Sequence, residues 1–349
     1  MSSEKYIGLD VHQATISVAV MDSQGKVVME SILETKASTL LEFFAGLRGS
    51  LFVTFEEGTS AAWLYDLLKP HVAKVLVCNP RKMAVLKQGN KSDKIDARKL
   101  AERLRLNDLK PVYHGETGVR MLRELARSYL TMVKDLTRVM TRVKALYRSW
   151  AIPCAGRDVY YARHRNQWLD KIQEPGVRRR AEQLYQQLDM LQHLRQQARR
   201  ELLVESRKHS ITAKLRQIPG LGPIRAALAV ALIQTPNRFR TKRQLWTYSG
   251  LGLETRDSGE YQYVRGQLRR RKKQVFIRGL NKDYNHDLKG LFKGAATRAS
   301  VLPGPFQDFY QRSLAKGIKP TMVRLTLARK IAAITLRLWK KEKTSTFKN

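Results

Sequence analysis

The sequence has few cysteines, no long apolar run and a shortage of acidic residues, and each shortage excludes a class of protein. Cys78 and Cys154 are the two cysteines among 349 residues, too few for a disulfide framework or a cysteine-rich zinc site. A reducing, cytoplasmic environment is therefore expected. The longest purely apolar stretch of the basic part, Ala226–Ile233, is far shorter than the ~20 residues of a membrane span. The opening residues, MSSEKYIGLDVH, lack the apolar core of a signal peptide, so neither secretion nor membrane insertion is expected.

The shortage of acids leaves a large positive charge. Lys and Arg number 66 against 30 Asp and Glu, a formal net charge of +36. Residues 1–105 have a net charge of only +3, and residues 106–349 have +33. A compact body of that charge repels itself unless a polyanion neutralises it, which indicates nucleic acid as a partner. No P-loop lysine motif or GxGxxG motif occurs, so nucleotide hydrolysis is not indicated.

The near-neutral N-terminal part reads as alternating strands and helices. In the first predicted strand, Tyr6–His12, apolar Ile7 and Leu9 share one face, and Gly8, Asp10 and His12 lie on the other. Two more strands follow, and then helix, strand, helix, strand and helix. This order is that of the ribonuclease-H-like fold. We therefore predict an α/β domain over residues 1–110.

Residues 111–208 are predicted to form long coiled-coil helices. Apolar residues recur at alternating steps of three and four from Leu122 to Trp150, and a second such seam runs from Leu184 to Leu202. Pro153, Gly156, Pro175 and Gly176 interrupt the pattern between them. An antiparallel hairpin within one chain and a coiled coil between chains fit this pattern equally well.

Residues 209–349 are predicted to form a third, mostly helical domain. Gly220 and Gly222 lie between two helical patterns, as in the turn of a helix-hairpin-helix, where backbone N–H groups accept a phosphate. A plain interhelical turn explains the same glycines as well. A basic run is the second candidate for nucleic-acid binding, and it comprises Arg265, Arg269, Arg270, Arg271, Lys272 and Lys273.

Four carboxylates are candidates for a metal site. Asp10 lies on the polar face of the first strand, and Glu56, by the same alternation, on the corresponding face of a strand that neighbours it in this fold. Parity places Glu57 on the other side. Asp93 and Asp96 are spaced i, i+3 on one face of a predicted helix. Converging carboxylates need a cation among them, and hard oxygen ligands suit Mg²⁺ or Mn²⁺. Salt bridges along a solvated helix are the alternative reading of Asp93 and Asp96.

Several segments along the chain resemble one known family. They are YIGLD at 6–10, FEEGT at 55–59, KSDKIDAR at 91–98, IPGLG at 218–222, YSGL at 248–251 and DSG at 257–259. Together they resemble the RuvC-like DEDD domain and the C-terminal domain of transposases of insertion sequence family 110, to which the Piv-type DNA invertases are related. Two independent sets of motifs in the right order make the resemblance specific.

The resemblance implies a bacterial DNA transposase or site-specific recombinase of a mobile element. Asp10, Glu56, Asp93 and Asp96 would hold the metal ions, and Ser258 would be the nucleophile that forms a transient covalent link to DNA. The implied partners are donor and target DNA and a structured guide (bridge) RNA encoded by the element. A homo-oligomer, dimer or tetramer, is expected, in which the serine of one subunit could meet the carboxylates of another.

Two other functions remain open on the sequence. A structure-selective nuclease like RuvC would use metal-activated water and would not need Ser258. A non-catalytic RNA- or DNA-binding protein would need only the basic residues. A covalent adduct separates the recombinase from the nuclease, and metal-dependent cleavage separates both from the binding protein.

Overall fold

The computed structural model describes residues 4–79, 92–114, 117–256, 261–270 and 276–346. The chain divides into two compact units, Met1–His114 and Gly115–Asn349. Each unit contains an extended hydrophobic core of its own. The finer division at residues 110 and 208 stays a prediction.

The N-terminal unit is built on a five-stranded mixed sheet with the order β3-β2-β1-β4-β5. Antiparallel pairing joins β1 to β2 and β2 to β3, whereas β1 pairs parallel with β4, and β4 with β5. This architecture confirms the predicted α/β fold class with a ribonuclease-H-like N-terminal part. The strands are β1 (Glu4–Val11), β2 (Thr15–Met21), β3 (Val27–Glu34), β4 (Ser50–Glu56) and β5 (Lys74–Cys78).

The two faces of this sheet pack against different helices. On one face, fully buried Ile7 and Leu9 join the core formed with α1 (Ala37–Ala45) and α2 (Ala61–Leu68). On the other face, α3 (Asp93–Arg105) lies across β1, β2 and β4. The alternation of side chains along β1 therefore assigns its apolar residues to the core and its polar ones to the side of α3.

The C-terminal unit is mostly helical, as predicted, with short β-ribbons between its helices. Antiparallel pairing joins β6 to β9 and β7 to β8. Its elements are α4 (Arg120–Ser149), α5 (Arg165–Leu169), α6 (Pro175–Ser206), α7 (Ser210–Leu215), α8 (Pro223–Ile233), α9 (Lys242–Tyr248), β6 (Leu253–Arg256), β7 (Tyr261–Val264), β8 (Gln267–Arg270), β9 (Phe276–Leu280), α10 (His286–Ala299), α11 (Pro305–Ala315) and α12 (Pro320–Thr346).

The two long helices form an antiparallel hairpin within the chain. Leu122 near the start of α4 shares a core with Leu202 near the end of α6. At the opposite end, the hydroxyl groups of Tyr147 and Tyr185 lie 3.0 Å apart in the buried interior. The helix ends at Ser149, so Trp150, the last residue of the predicted seam, is half exposed. The intramolecular alternative is thus realised in this chain.

Small residues bring the remaining helices close together. Alanines dominate the buried face of α8, and Ala295, Ala296 and Ala299 of α10 are fully buried. In the same core, Ala328 and Ala332 of α12 are also fully buried. Within the described residues, no helix combines the length and apolar character needed to cross a membrane.

Candidate active site

Three side chains of the N-terminal unit form a possible metal-binding group. Nε2 of His12 lies 3.2 Å from Oδ2 of Asp10 and 3.5 Å from Oδ2 of Asp93. One ligand atom of each residue lies within 4.8 Å of the others. Two carboxylate oxygens and one imidazole nitrogen at this spacing are a donor set that suits a divalent cation.

A glycine allows the helix that carries Asp93 to approach the strand that carries Asp10. Gly8 lies on the same face of β1 as Asp10, beneath α3. A Cβ atom at Gly8 would lie 2.1 Å from the carbonyl oxygen of Ala97 and 2.6 Å from the backbone nitrogen of Ala101. The lack of a side chain at position 8 is therefore what permits this close packing.

A cap at the start of α3 and an ion pair further along its N-terminal half hold this helix in position. The side chain of Ser92 accepts a hydrogen bond from the backbone N–H of Ile95 at 3.3 Å, which caps the helix. Asp93 and Asp96 occupy the first turn, where the helix dipole favours negative charge. The guanidinium of Arg98 donates two hydrogen bonds to the carboxylate of Glu30 on β3. The N-terminal half of the helix is thus attached to β3, the edge strand of the sheet.

Burial is the main cause that raises the pKa of the Asp10 carboxyl above its usual range. The charge and the hydrogen bond of His12 act in the opposite direction, and the nearby carboxylates of Asp96 and Asp93 raise the pKa further. Burial and the two neighbouring carboxylates thus disfavour the ionised form of Asp10, and His12 offsets this only in part. A bound cation would remove that penalty, and the residues present therefore fit a metal ion.

Glu56 and Glu57 line a cleft beside Asp10. Leu9 of β1 pairs with Phe55 of the parallel strand β4. The next residues along the two strands, Asp10 and Glu56, are therefore neighbours at the carboxyl ends of these strands. Both glutamates, Asp10 and His12 line a cleft of about 540 Å³. Glu57 has a separate partner, because its Oε2 lies 2.6 Å from Nε2 of His114, which is stacked on the ring of Tyr65. Parity along β4 is the reason to prefer Glu56 over Glu57 as the candidate ligand.

The structure brings some of the sequence-predicted site residues together. Asp10 and Asp93 belong to the three-residue group, whereas Glu56 and Asp96 are not among its members. Ser258 lies outside the described residues. His12, which lies on the polar face of the first predicted strand, was not among the predicted ligands. The signal that could have found it is its place two residues after Asp10, just past the end of β1 at Val11.

The two glycines predicted to bind phosphate lie between α7 and α8. Gly220 has a φ of +88°, and a Cβ atom there would lie 2.3 Å from the carbonyl oxygen of Ala295. Packing against α10 thus already requires this glycine. Gly222 is the N-cap residue of α8, and a Cβ atom there would meet nothing within 4 Å. A role of either glycine in binding nucleic acid stays a prediction.

Part of the predicted basic run lies on a β-hairpin. Arg265 is at its tip, and Arg269 is exposed on β8. The backbone of Arg270 ends the same strand. The rest of the run, Arg271, Lys272 and Lys273, lies outside the described residues.

Comparison with known proteins assigns the chain to a family. Residues 7–150 match a DEDD family model described as transposase, and residues 212–280 match one described as transposase of the IS116/IS110/IS902 family. The chain is also similar to an insertion element IS116 uncharacterized 44.8 kDa protein from Streptomyces clavuligerus, with 22% identity over 381 residues that cover 93% of this chain and 92% of that protein. The two family models together match more than half of the chain, in the expected order, and the chain therefore belongs to the IS116/IS110/IS902 family of insertion-element transposases, enzymes that act on DNA.

Proposed function

We propose that this transposase cuts and rejoins DNA strands at a metal site held by Asp10, Glu56, Asp93 and Asp96. The observation that carries the proposal is the approach of Asp93, from α3, to Asp10, on β1, at the edge of a cleft that Glu56 also lines. Asp96 lies near enough for its charge to raise the pKa of Asp10. Carboxylates that converge from distant segments repel one another unless a cation binds among them.

Carboxylate oxygens suit Mg²⁺ or Mn²⁺. Bound there, such a cation would polarise the phosphodiester that is cut. Asp10, Glu56, Asp93 and Asp96 would hold and orient it, because β1 and β4 present the first two from a rigid sheet and the capped first turn of α3 presents the other two. A site on rigid elements keeps its geometry when the charged DNA backbone enters.

For the nucleophile we propose Ser258, on the strength of the DSG motif and the family. Its Oγ attacks the phosphorus, an Oγ–P bond forms, and one P–O bond to a sugar breaks. The serine proton balances the charge of the leaving sugar oxygen, which becomes a hydroxyl group. Rejoining is the reverse step, with a sugar hydroxyl of another strand. The number of phosphoester bonds is unchanged, so the reaction needs no nucleotide hydrolysis to drive it. This agrees with the lack of a P-loop motif in the sequence.

We further propose that a structured RNA of the element guides the protein to its DNA. Residues 106–349 have a net charge of +33, which supports the binding of more than one nucleic-acid partner. Each phosphate group that binds releases counterions, and this release favours association. RNA extracted from purified protein and sequenced should derive from the non-coding segment beside the reading frame. Cleavage that survives complete removal of RNA would contradict guidance.

The covalent step is tested by incubation of full-length protein with labelled DNA that spans the junctions of its own element. Wild-type protein should form an adduct that survives denaturation, and Ser258→Ala should form none. Cleavage without any adduct would support the RuvC-like nuclease instead. An adduct in Ser258→Ala would assign the nucleophile to another residue.

Light scattering of the same samples measures the predicted dimer or tetramer.

A further inference from the structure

We infer that His12 is a nitrogen ligand of the proposed metal site and biases that site toward a transition metal over Mg²⁺. The inference rests on the proposed function and adds a residue to it. Donors in adjacent positions around an octahedral cation are about 3 Å apart at metal–ligand distances near 2.1 Å. Nε2 of His12 lies 3.2 Å from Oδ2 of Asp10 and 3.5 Å from Oδ2 of Asp93, close to that spacing.

The backbone of His12 is held in place on both sides. Its N–H donates to the carbonyl oxygen of Thr15 at 2.9 Å, and its carbonyl oxygen accepts from Oγ1 of Thr35 at 3.0 Å. The side chain itself is 48% exposed, so it contributes little to the core. The residue is thus well anchored, and its accessible ring lies next to two carboxylates and hydrogen-bonds that of Asp10, an arrangement that suits a ligand.

The nature of the donor atom determines the metal preference. Carboxylate oxygens accept Mg²⁺ and Mn²⁺ alike, whereas imidazole binds transition-metal ions better than Mg²⁺. A site with oxygen ligands alone would show little preference between the two ions. A site that includes His12 should bind Mn²⁺ more tightly, and this difference should vanish with the imidazole.

The test is electron spin echo spectroscopy of Mn²⁺ bound to tag-free, full-length protein. Wild-type protein should show ¹⁴N modulation, and His12→Asn should lose it. His71→Asn, which removes an exposed histidine of the same unit, is the matched control and should retain it. In calorimetry, His12→Asn should weaken Mn²⁺ binding by about tenfold or more and change Mg²⁺ binding much less. Thermal unfolding of both variants verifies the fold.

Each result separates the inference from the function on which it rests. Mn²⁺ bound to wild-type protein without nitrogen coupling would overturn the role of His12 and leave the carboxylate site standing. The same coupling in His12→Asn would assign the nitrogen to another residue. Failure of wild-type protein to bind Mn²⁺ at all would overturn both.

A separate observation concerns the hairpin of β7 and β8. Val264 pairs with Gln267, so Arg265 and Gly266 form a two-residue loop, and their φ angles of 51° and 77° are those of a type I′ turn. Tyr261 and Tyr263 are 60% and 76% exposed. They lie two residues apart, on one face of the hairpin.

The chemistry of this face matches unpaired DNA bases. Residues two apart in a strand are about 6.8 Å apart, which is twice the ~3.4 Å spacing of stacked bases. Leu268, directly opposite Tyr263, is 57% exposed and extends the apolar surface. Arg265, at the tip of the hairpin, adds exposed positive charge for the phosphates. Since the chain is a DNA transposase, we propose that Tyr261 and Tyr263 stack on bases of an unpaired DNA strand.

Binding of full-length protein to oligonucleotides that contain 2-aminopurine tests this role. Tyr261→Ala combined with Tyr263→Ala should weaken binding of single-stranded DNA about fivefold or more per stacked base, without changing the salt dependence. Tryptophan at both positions should restore binding, and Gln267→Ala on the opposite face should have no effect. Duplex binding should be unchanged.

Three results would contradict the assignment to unpaired DNA. An equal loss on single-stranded and duplex DNA would indicate backbone contact instead of stacking. A loss confined to RNA of the same sequence would assign the tyrosines to RNA. Unchanged binding of every oligonucleotide would leave the exposed face to a protein partner.

Discussion

Replacement of Gly8 by alanine should damage the active site without touching any of its proposed ligands. The new Cβ atom would lie 2.1 Å from the carbonyl oxygen of Ala97 and 2.6 Å from the backbone nitrogen of Ala101. Carbon and oxygen atoms in ordinary contact are separated by about 3.4 Å or more. Since the clashing atoms belong to the backbone, α3 must move away from β1 by about 1 Å.

This displacement would carry Asp93 and Asp96 away from Asp10, because both lie in the first turn of α3. A misplacement of about 1 Å at a reacting site costs on the order of 100-fold in rate. The crowding itself should lower the free energy of unfolding by about 1–3 kcal/mol. Strand cleavage by full-length protein and unfolding in urea measure the two effects.

A matched control is available in Gly46, which follows α1 in the same unit. A Cβ atom there would approach other atoms no closer than 3.5 Å. Gly46→Ala should therefore keep both activity and stability close to those of the wild type. If Gly8→Ala cleaves DNA within a factor of about two of the wild type (less than 0.5 kcal/mol of barrier), the close approach of α3 does not define the site.

Three further outcomes follow from the described contacts and charges. Glu56→Gln should abolish strand cleavage. Glu57→Gln alters a contact to a histidine outside the proposed ligands and should reduce cleavage far less. The reverse order in a cleavage assay would contradict the parity of β4. Neutralisation of the five basic residues at 269–273 should lower the slope of log K against log salt by roughly 0.9 per lost contact on duplex DNA, and an unchanged slope would show that they do not contact phosphates. Tyr147→Phe should lower the free energy of unfolding by about 1–3 kcal/mol, because it leaves the buried hydroxyl of Tyr185 without its partner at 3.0 Å. The variant with phenylalanine at both positions should lose less unfolding free energy than the sum of the two single variants. Strict additivity in urea unfolding would refute the coupling.

Alternation along β1 was sufficient to predict which of its side chains face the core. It assigned Ile7 and Leu9 to the core and Asp10 to the opposite face, and both assignments are confirmed by the burial of the apolar pair and the position of Asp10. The strand predicted over Tyr6–His12 placed His12 on the same face as Asp10, although β1 itself ends at Val11. The contact of His12 with Asp93, however, depends on where α3 crosses the sheet. That crossing depends on packing at Gly8, which no local pattern in the sequence shows.

The long helices illustrate a different limit. A heptad seam specifies that a helix has a partner, but the seam is satisfied equally by a helix of the same chain or of another. The pairing of α4 with α6 depends on how residues 150–174 return the chain, and buried Val159, Leu169 and Ile172 of that segment pack against the hairpin core. These residues belong to no heptad. The choice was therefore inaccessible to periodicity alone.

The measurement that tests the central claim most directly compares wild-type protein with Asp10→Asn on the same labelled element DNA, in the presence of Mg²⁺ or Mn²⁺. Binding and strand cleavage are recorded in parallel, with and without the metal. The account predicts that Asp10→Asn binds DNA about as tightly as the wild type but cuts none of it, and that wild-type protein stops cutting when the metal is chelated. Cleavage by Asp10→Asn at the wild-type rate would contradict the assignment of the metal site to this carboxylate.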